Sequence, residues 1–254
     1  MRIKAIKTRI FRENEDLFSF IFKYFKKIPE KSILVVTSKV VALSEGRTRE
    51  LKSKKDKIKL IKEESDFALK TKQVWLTIKD GMVIANAGID ESNAKGKLIL
   101  LPKNSFQSAA MLRKKLMQNF RLKNLGVLLT DSRLMPLRAG VVGVALGYAG
   151  FQGIKNYMDQ KDIFGRVFKI SKTDIADGLA TAAVLCMGEG EERQPLALIT
   201  QAPVVFQSRV NRRELIIDPK EDIYAPLFSN LKVIKSKKDL SRTKFLITGH
   251  KDKH

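Results

Sequence analysis

Histidine and cysteine are nearly missing from this chain. Its two histidines, His250 and His254, stand in the last five of 254 residues, and Cys186 is the single cysteine. One thiol excludes a disulfide framework, and imidazoles so placed leave little room for histidine-based acid–base catalysis or a soft-metal cluster. Any metal would have to be held by oxygen ligands, which selects magnesium, manganese or calcium. Long apolar runs are missing too. No uninterrupted stretch approaches the ~18 residues of a membrane-spanning helix, and the basic start MRIKAIKTRIFRENED has no apolar segment before a cleavage site. The expectation is a folded cytoplasmic protein without a membrane partner. The chain also lacks a G-x-x-x-x-G-K-[ST] loop, and Gly140, Gly143 and Gly147 do not fit G-x-G-x-x-G, so the two commonest phosphate cradles are excluded.

What is present is enough for a core. At 44% hydrophobic residues, the chain can build one large or two small cores without staples. The formal charge of +22 raises the question of nucleic acid. However, the 34 Lys and 15 Arg are scattered among acids rather than gathered beside stacking aromatics. Ser44 to Lys72, with ten bases and six acids, suits a solvated helix or loop. Lys232 to His254, with eight bases and two acids, is the better candidate for a phosphate-seeking arm. Nucleic acid is therefore not expected as a partner.

The periodicity predicts a helix over Glu15–Ile28 behind an Asn14 cap, with Leu17, Phe18, Ile21, Phe25 and Ile28 on one stripe. SILVVTSKVVAL, Ser32–Leu43, reads as a buried strand. QVWLTIKDGMVIANAG reads as two strands joined by the Asp80-Gly81 turn. Phe106–Leu122 reads as an amphipathic helix capped by Asn104 or Ser105. LGVLLTDSR reads as a strand of about five residues ending on Thr130, Asp131 and Ser132, where open α/β sheets bind ligands. The five glycines of GVVGVALGYAGFQG favour close backbone approach and sharp bends. Thr173 caps a helix from Asp174 to about Met187, which stops at the glycines of GEGEE. Strands and helices alternate irregularly, giving an α/β or mixed α+β class. The domain reading is one unit of two lobes over 1–230 and a basic carboxy-terminal segment over 231–254.

Four acids stand out because each follows an apolar element among Gly, Asn or Ser: Asp90, Asp131, Asp162 and Glu189. A carboxylate at a loop tip is usually a turn-former or cap. Three of them brought to one place would repel by several kcal/mol in a partly dry cleft unless a divalent cation neutralised them. Hard cations prefer such ligands and commonly bridge to nucleotide phosphates. Ser38, Lys39, Arg133, Arg138 and Arg166 could donate to phosphate, or could serve as surface ion-pair partners.

SKVVALSEGR, GMVIANAGIDESN, LLTDSRLMPLRAG, GVALGYAGF, KDIFGR and MGEG, in that order from residue 1 to about 201, resemble the γ-glutamyl ligase family that adds L-glutamate to the precursor of the deazaflavin coenzyme F-420. The resemblance implies nucleoside-triphosphate-dependent amide synthesis, with GTP in the characterised members and ATP as the alternative. It implies manganese or magnesium, with K+ as a further candidate ion, on a two-lobed fold that forms an intertwined homodimer. Carried over, the metal ligands fall on Asp90, Asp131, Ser132 and Glu189. The nucleotide contacts fall on Ser38, Lys39, Asn93 and Met187 to Gly190, including Gly188, and Arg138 joins the acids in catalysis.

The chain departs from the family in three places. Leu43 stands where the family has Lys, LMPLR keeps Pro136 and Arg138 but lacks the family's Gly, first Arg and Trp, and KTRIF replaces an amino-terminal Gly-Leu-Pro. The ligands are kept while substrate contacts are not, so a folate-glutamylating branch is an alternative acceptor class. A basic nucleic-acid-binding protein on an inactive ligase scaffold is the alternative of another kind, and a metal-binding relative without turnover is a third.

Overall fold

The computed structural model describes residues 1–51, 53–218 and 220–228. The basic segment over 231–254 lies outside the described residues.

In chain order the elements are β1 (Arg2–Ile6), α1 (Leu17–Phe22), β2 (Ser32–Thr37), α2 (Ser38–Ser44), β3 (Thr48–Glu50), α3 (Lys54–Glu63), β4 (Phe67–Lys70), β5 (Trp75–Lys79) and β6 (Met82–Ala85). After a 3-10 turn at Asn86–Gly88 come β7 (Lys97–Ile99), α4 (Ser105–Phe120), β8 (Leu125–Leu134), β9 (Val141–Ala149), β10 (Ile154–Asn156), β11 (Lys172–Asp174), α5 (Ile175–Met187), β12 (Leu196–Thr200) and α6 (Ala225–Phe228). This is a mixed α/β fold, as expected. It divides into two units. The first comprises Met1–Thr48 and Ile99–Leu215, and the second, among the described residues, Arg49–Leu98 and the stretch from 216 to 228. The chain passes between them three times, within β3, within β7 and after Leu215.

The first unit is built on a five-stranded sheet, ordered β1-β12-β2-β8-β9. β2 and β8 run parallel, and every other neighbouring pair is antiparallel. Strand alternation sends Leu34, Val36, Val127 and Leu129 to one face, where they pack with Phe20 and Ile21 of α1 and with Ala109, Leu112 and Leu116 of α4. Ile33, Val35, Leu128 and Tyr148 go to the other face, against Ala176, Leu179, Ala180 and Ala183 of α5. Both faces are covered, which explains why β2 reads as a continuous apolar run.

Three readings of this unit need correction. The helix expected over Glu15–Ile28 shrinks to six residues. Asn14 is in the left-handed region at φ 59°, so it cannot cap, and Asp16 does so instead, accepting from Ser19 N at 2.6 Å. The apolar stripe is nonetheless buried as read, Phe18 being only partly so. The strand expected over Ser32–Leu43 ends at Thr37, and SKVVALS is helical. A short apolar run does not distinguish strand from helix by period alone. At α5 the cap is Asp174, not Thr173, which belongs to β11.

The second unit holds the antiparallel meander β4-β5-β6. β5 and β6 turn at Asp80 and Gly81, both at positive φ (51° and 79°), in the two-residue hairpin that Asp-Gly predicts. The Lys-rich stretch forms the solvated helix α3, with Ile61 its buried residue. Its charges are partly paired: Lys57 meets Glu91 at 2.6 Å, and Glu64, just past the helix, meets Lys79 at 3.0 Å.

Candidate active site

Asp131 does not stand at the carboxyl end of its strand, where the five-residue apolar run places it. β8 continues to Leu134, so Asp131 lies within the strand, opposite Val144 of β9. What distinguishes it is a β-bulge. Leu129 pairs with Gly147 but Thr130 pairs with Ala145, so Leu146 is an extra residue in β9. Bulges re-aim side chains and are common beside active sites. Beyond this one, β8 changes from fully buried to half-buried, at Asp131, Ser132 and Arg133.

Ser132 Oγ donates to Glu189 Oε2 at 3.2 Å. This bond joins β8 to the turn that follows α5 and brings together two of the expected ligand positions, Ser132 and Glu189; Asp131 precedes Ser132 in the strand, where alternation turns its side chain toward the other face. The turn is built around Gly188, at φ 80°, whose N–H closes on Val184 O at 2.9 Å. Glu192 curls back to accept from Gly190 N at 2.8 Å, and its carboxylate fills the space a Cβ on Gly188 would need. Met187 is buried beneath the turn. Ser38 and Lys39 open α2 directly after the parallel strand β2, with Ser38 buried and Lys39 half-buried. Because Thr37 is in register with Thr130, these residues start at the level of β8 where Asp131 follows. Arg138 is exposed in the β8–β9 turn.

Asp90 and Asn93 belong to the second unit. Asp90 accepts from Ser92 N at 2.6 Å and from Ser92 Oγ at 2.9 Å, the turn-forming role set beside metal binding in the sequence. The loop before it is anchored by the buried Thr77 hydroxyl, which donates to Ile84 O and accepts from Ala87 N at 2.8 Å. Asn93 is exposed at φ 53°. Asp162 forms a turn: one carboxylate oxygen accepts from Phe164 N and Arg166 N at 2.8 and 2.9 Å. Among the described residues, no group of three or more His, Cys, Asp or Glu closes into a metal-holding set. The oxygen donors Asp131, Ser132 and Glu189 fit a hard divalent cation in their chemistry.

Sequence reasoning missed Asp177 and Thr181, on α5. Asp177 Oδ1 accepts from Ala145 N at 2.8 Å and Oδ2 lies 3.5 Å from Arg133 Nη2, while Thr181 Oγ1 donates to Gly143 O at 2.7 Å. An acid in the first turn of a helix has an ordinary explanation in the helix dipole, which hid Asp177. Thr130 Oγ1 and Arg133 Nε, in the same stretch of β8, are buried with no hydrogen-bond partner. An open cleft of about 820 Å³ among Arg2, Glu30, Lys31, Asn124, Thr200 and Phe206 lies at the amino ends of β2 and β8 and contains none of the candidate residues.

Asp174 gives a pH prediction. It caps α5 by accepting from Asp177 N at 2.9 Å. Although the residue is exposed, partial desolvation of its carboxyl against α5 raises it to about 6 from an ordinary 3.8, against the pull of that hydrogen bond, and solvent screening keeps the effect on stability small. A carboxyl raised in the folded state binds its proton more tightly there than in the unfolded chain. Its contribution to stability is therefore full below about 4 and is lost as pH rises to about 6. Asparagine caps as well as aspartate does. Asp174→Asn should thus gain stability relative to the parent as pH rises through this window, read as urea midpoints between pH 4 and 6.5. Parallel midpoint curves would refute the assignment.

No helix among the described residues is long and apolar enough to cross a membrane. The family model described as "F420-0:Gamma-glutamyl ligase" matches residues 5–201. The chain is 32% identical over 244 residues to a coenzyme F420:L-glutamate ligase of Methanococcus maripaludis strain C7, covering 88% of this chain and 97% of the relative. It is 31% identical over 232 residues to the enzyme of that name from Archaeoglobus fulgidus, covering 84% and 92%. With that of Methanocaldococcus jannaschii it shares 39% over 146 residues, 58% of either chain. Asp90, Asp131, Ser132 and Glu189 all fall inside the matched region, and the chain belongs to the F420-0:gamma-glutamyl ligase family.

Proposed function

We propose that this protein forms an amide bond between the amine of L-glutamate and a carboxylate of the deazaflavin coenzyme F420 precursor, using GTP or ATP. The observation that carries the reading is the bond from Ser132 to Glu189, a pair of oxygen donors next in sequence to Asp131, on a chain with almost no histidine or cysteine. Asp131, Ser132 and Glu189, with Asp90 as a further carboxylate, would hold Mn2+ or Mg2+. A divalent cation there would neutralise charge on the phosphate oxygens and orient the triphosphate.

The remaining roles belong to the chain's own groups. Ser38 and Lys39 donate to phosphate from the start of α2. Asn93 and the Met187–Gly190 turn contact the nucleotide, and Arg138 meets the charge that builds up during transfer. A carboxylate is a poor acyl donor. One of its oxygens attacks the terminal phosphorus, the bond to the nucleoside diphosphate breaks, and an acyl phosphate forms. The glutamate nitrogen then attacks the acyl carbon, inorganic phosphate leaves with the bonding pair, and the nitrogen gives its proton to solvent. Neither step requires an imidazole or a thiol. A homodimer is part of this reading, and sedimentation of the full chain tests it.

The relatives compared are named for coenzyme F420, which favours the deazaflavin over folate as acceptor. Mass spectrometry of both acceptors, after incubation with GTP or ATP, Mn2+ and L-glutamate, tests the proposal. The expected result is a gain of one or more glutamate residues on the deazaflavin, with matching phosphate release. No gain on either acceptor would refute the ligase reading, and a gain on folate alone would replace the substrate.

A further inference from the structure

We infer that Asp177 is a positioning residue for the site proposed above: from α5 it locks the bulge in the β8–β9 hairpin and so fixes where Asp131 and Ser132 stand. The inference rests on the metal-site reading. Three consecutive positions of β9, Gly143, Val144 and Ala145, lie opposite Ser132, Asp131 and Thr130. Both outer positions are held from the same helix. Ala145 N, beside the bulge, donates to Asp177 Oδ1 at 2.8 Å, and Gly143 O accepts from Thr181 one turn further along α5, at 2.7 Å. Asp177 also reaches across to the other strand, where its second oxygen lies 3.5 Å from Arg133 Nη2, next in sequence to Ser132. The missing side chain at Gly143 lets the helix come this close, since a Cβ there would meet Ala180 O at 2.5 Å. One carboxylate thus ties together both strands of the hairpin on either side of Asp131.

A bulge is locally adaptable backbone. Thr130 Oγ1 and Arg133 Nε, bracketing Asp131 and Ser132, are buried without partners. α5 itself runs on to the turn that carries Glu189, so the same helix that fixes one side of the group through Asp177 delivers the other. Groups behind metal ligands commonly change affinity by ~10- to 100-fold when removed, because the ligands lose their alignment.

The test is a titration of the full-length, nucleotide-free protein with Mn2+, followed by electron paramagnetic resonance, alongside thermal melting. Asp177→Ala is expected to weaken Mn2+ binding by ~10- to 100-fold. Asp177→Asn keeps the acceptor for Ala145 N and loses the Arg133 ion pair, so binding should stay much nearer the parent. Thr181→Val should weaken binding less than Asp177→Ala does. Ile21→Val, buried on the opposite face of the sheet, lowers the melting temperature without a contact to the hairpin and should leave Mn2+ affinity unchanged. Parent-like affinity in Asp177→Ala, or an equal loss in Ile21→Val, overturns the inference. If Asp177→Ala does not fold, Thr181→Val decides alone, and unchanged affinity there overturns it. Asp131→Asn separates the two readings. Should it abolish Mn2+ binding while Asp177→Ala does not, the site stands and the positioning role falls. A parent protein that takes up no Mn2+ overturns both.

Discussion

Asp131→Asn should cut glutamate-dependent phosphate release by about a thousandfold, the upper range for removing one charge-stabilising group from an active site. The substitution is nearly isosteric, and Asp131 lies in the interior of β8, where the strand ladder with Val144 and its neighbours fixes the backbone. The fold should therefore survive, and melting within a few degrees of the parent is the required control. Asp90→Asn should be as damaging, and there the amide discriminates between two roles. Asparagine can still accept from Ser92 N and so preserves the turn. Only the charge is lost. Turnover within tenfold of the parent in both variants would show that neither carboxylate carries chemistry, and would leave Asp90 as the turn-former its contacts describe.

Gly147→Val should strongly destabilise the first unit. Gly147 pairs with Leu129 on the last rung before the bulge. A Cβ there would lie 2.5 Å from Ser105 C and 2.6 Å from Phe106 N, the backbone of the first turn of α4. Backbone cannot rotate away as a side chain can. Making room means moving α4, and with it Ala109, Leu112 and Leu116 from the core. The expected cost is about 3 kcal/mol, lowering the melting temperature by roughly 6–12 °C. Gly178→Ala is the matching control. Gly178 lies within α5, with nothing within 4 Å of its added Cβ, so alanine should stabilise the protein by about 0.5–1 kcal/mol. Equal melting of Gly147→Val and parent would mean that α4 does not press on β9 as described.

Much of this was legible in the sequence. Asn104 caps α4, accepting from Gln107 N at 3.0 Å, and the Asp80-Gly81 hairpin formed as its residue types require. These signals are local, a side chain answering a backbone group three residues away or a turn demanding positive φ. The close approach expected of the glycines in GVVGVALGYAGFQG also holds, at Gly143 and Gly147. What stayed hidden depends on partners distant in sequence. SKVVALS has the composition of a strand, yet it turns helical to pack Val40 and Val41 into the core beside α1. The bulge at Leu129/Thr130 arises from a mismatch between β8 and β9 that neither strand reveals alone. Asp177 reads as a routine first-turn acid until Ala145 and Arg133 are seen beside it. Asp162 shows the opposite case: its turn is entirely local, and its contacts are the turn-forming ones that an Asp at a loop tip predicts.

The outermost rung of the five-stranded sheet has a consequence for how the chain is made. Arg2 is in register with Thr200, and β12 stands between β1 and β2, so β1 has no neighbour in the sheet until nearly all of the matched region has been synthesised. The β4-β5-β6 meander, whose strands follow one another directly, can close long before that. A nascent chain halted short of Leu196 would hold a finished meander beside a sheet with β1 unpaired and one edge of β2 open, the kind of exposed strand edge that chaperones cover.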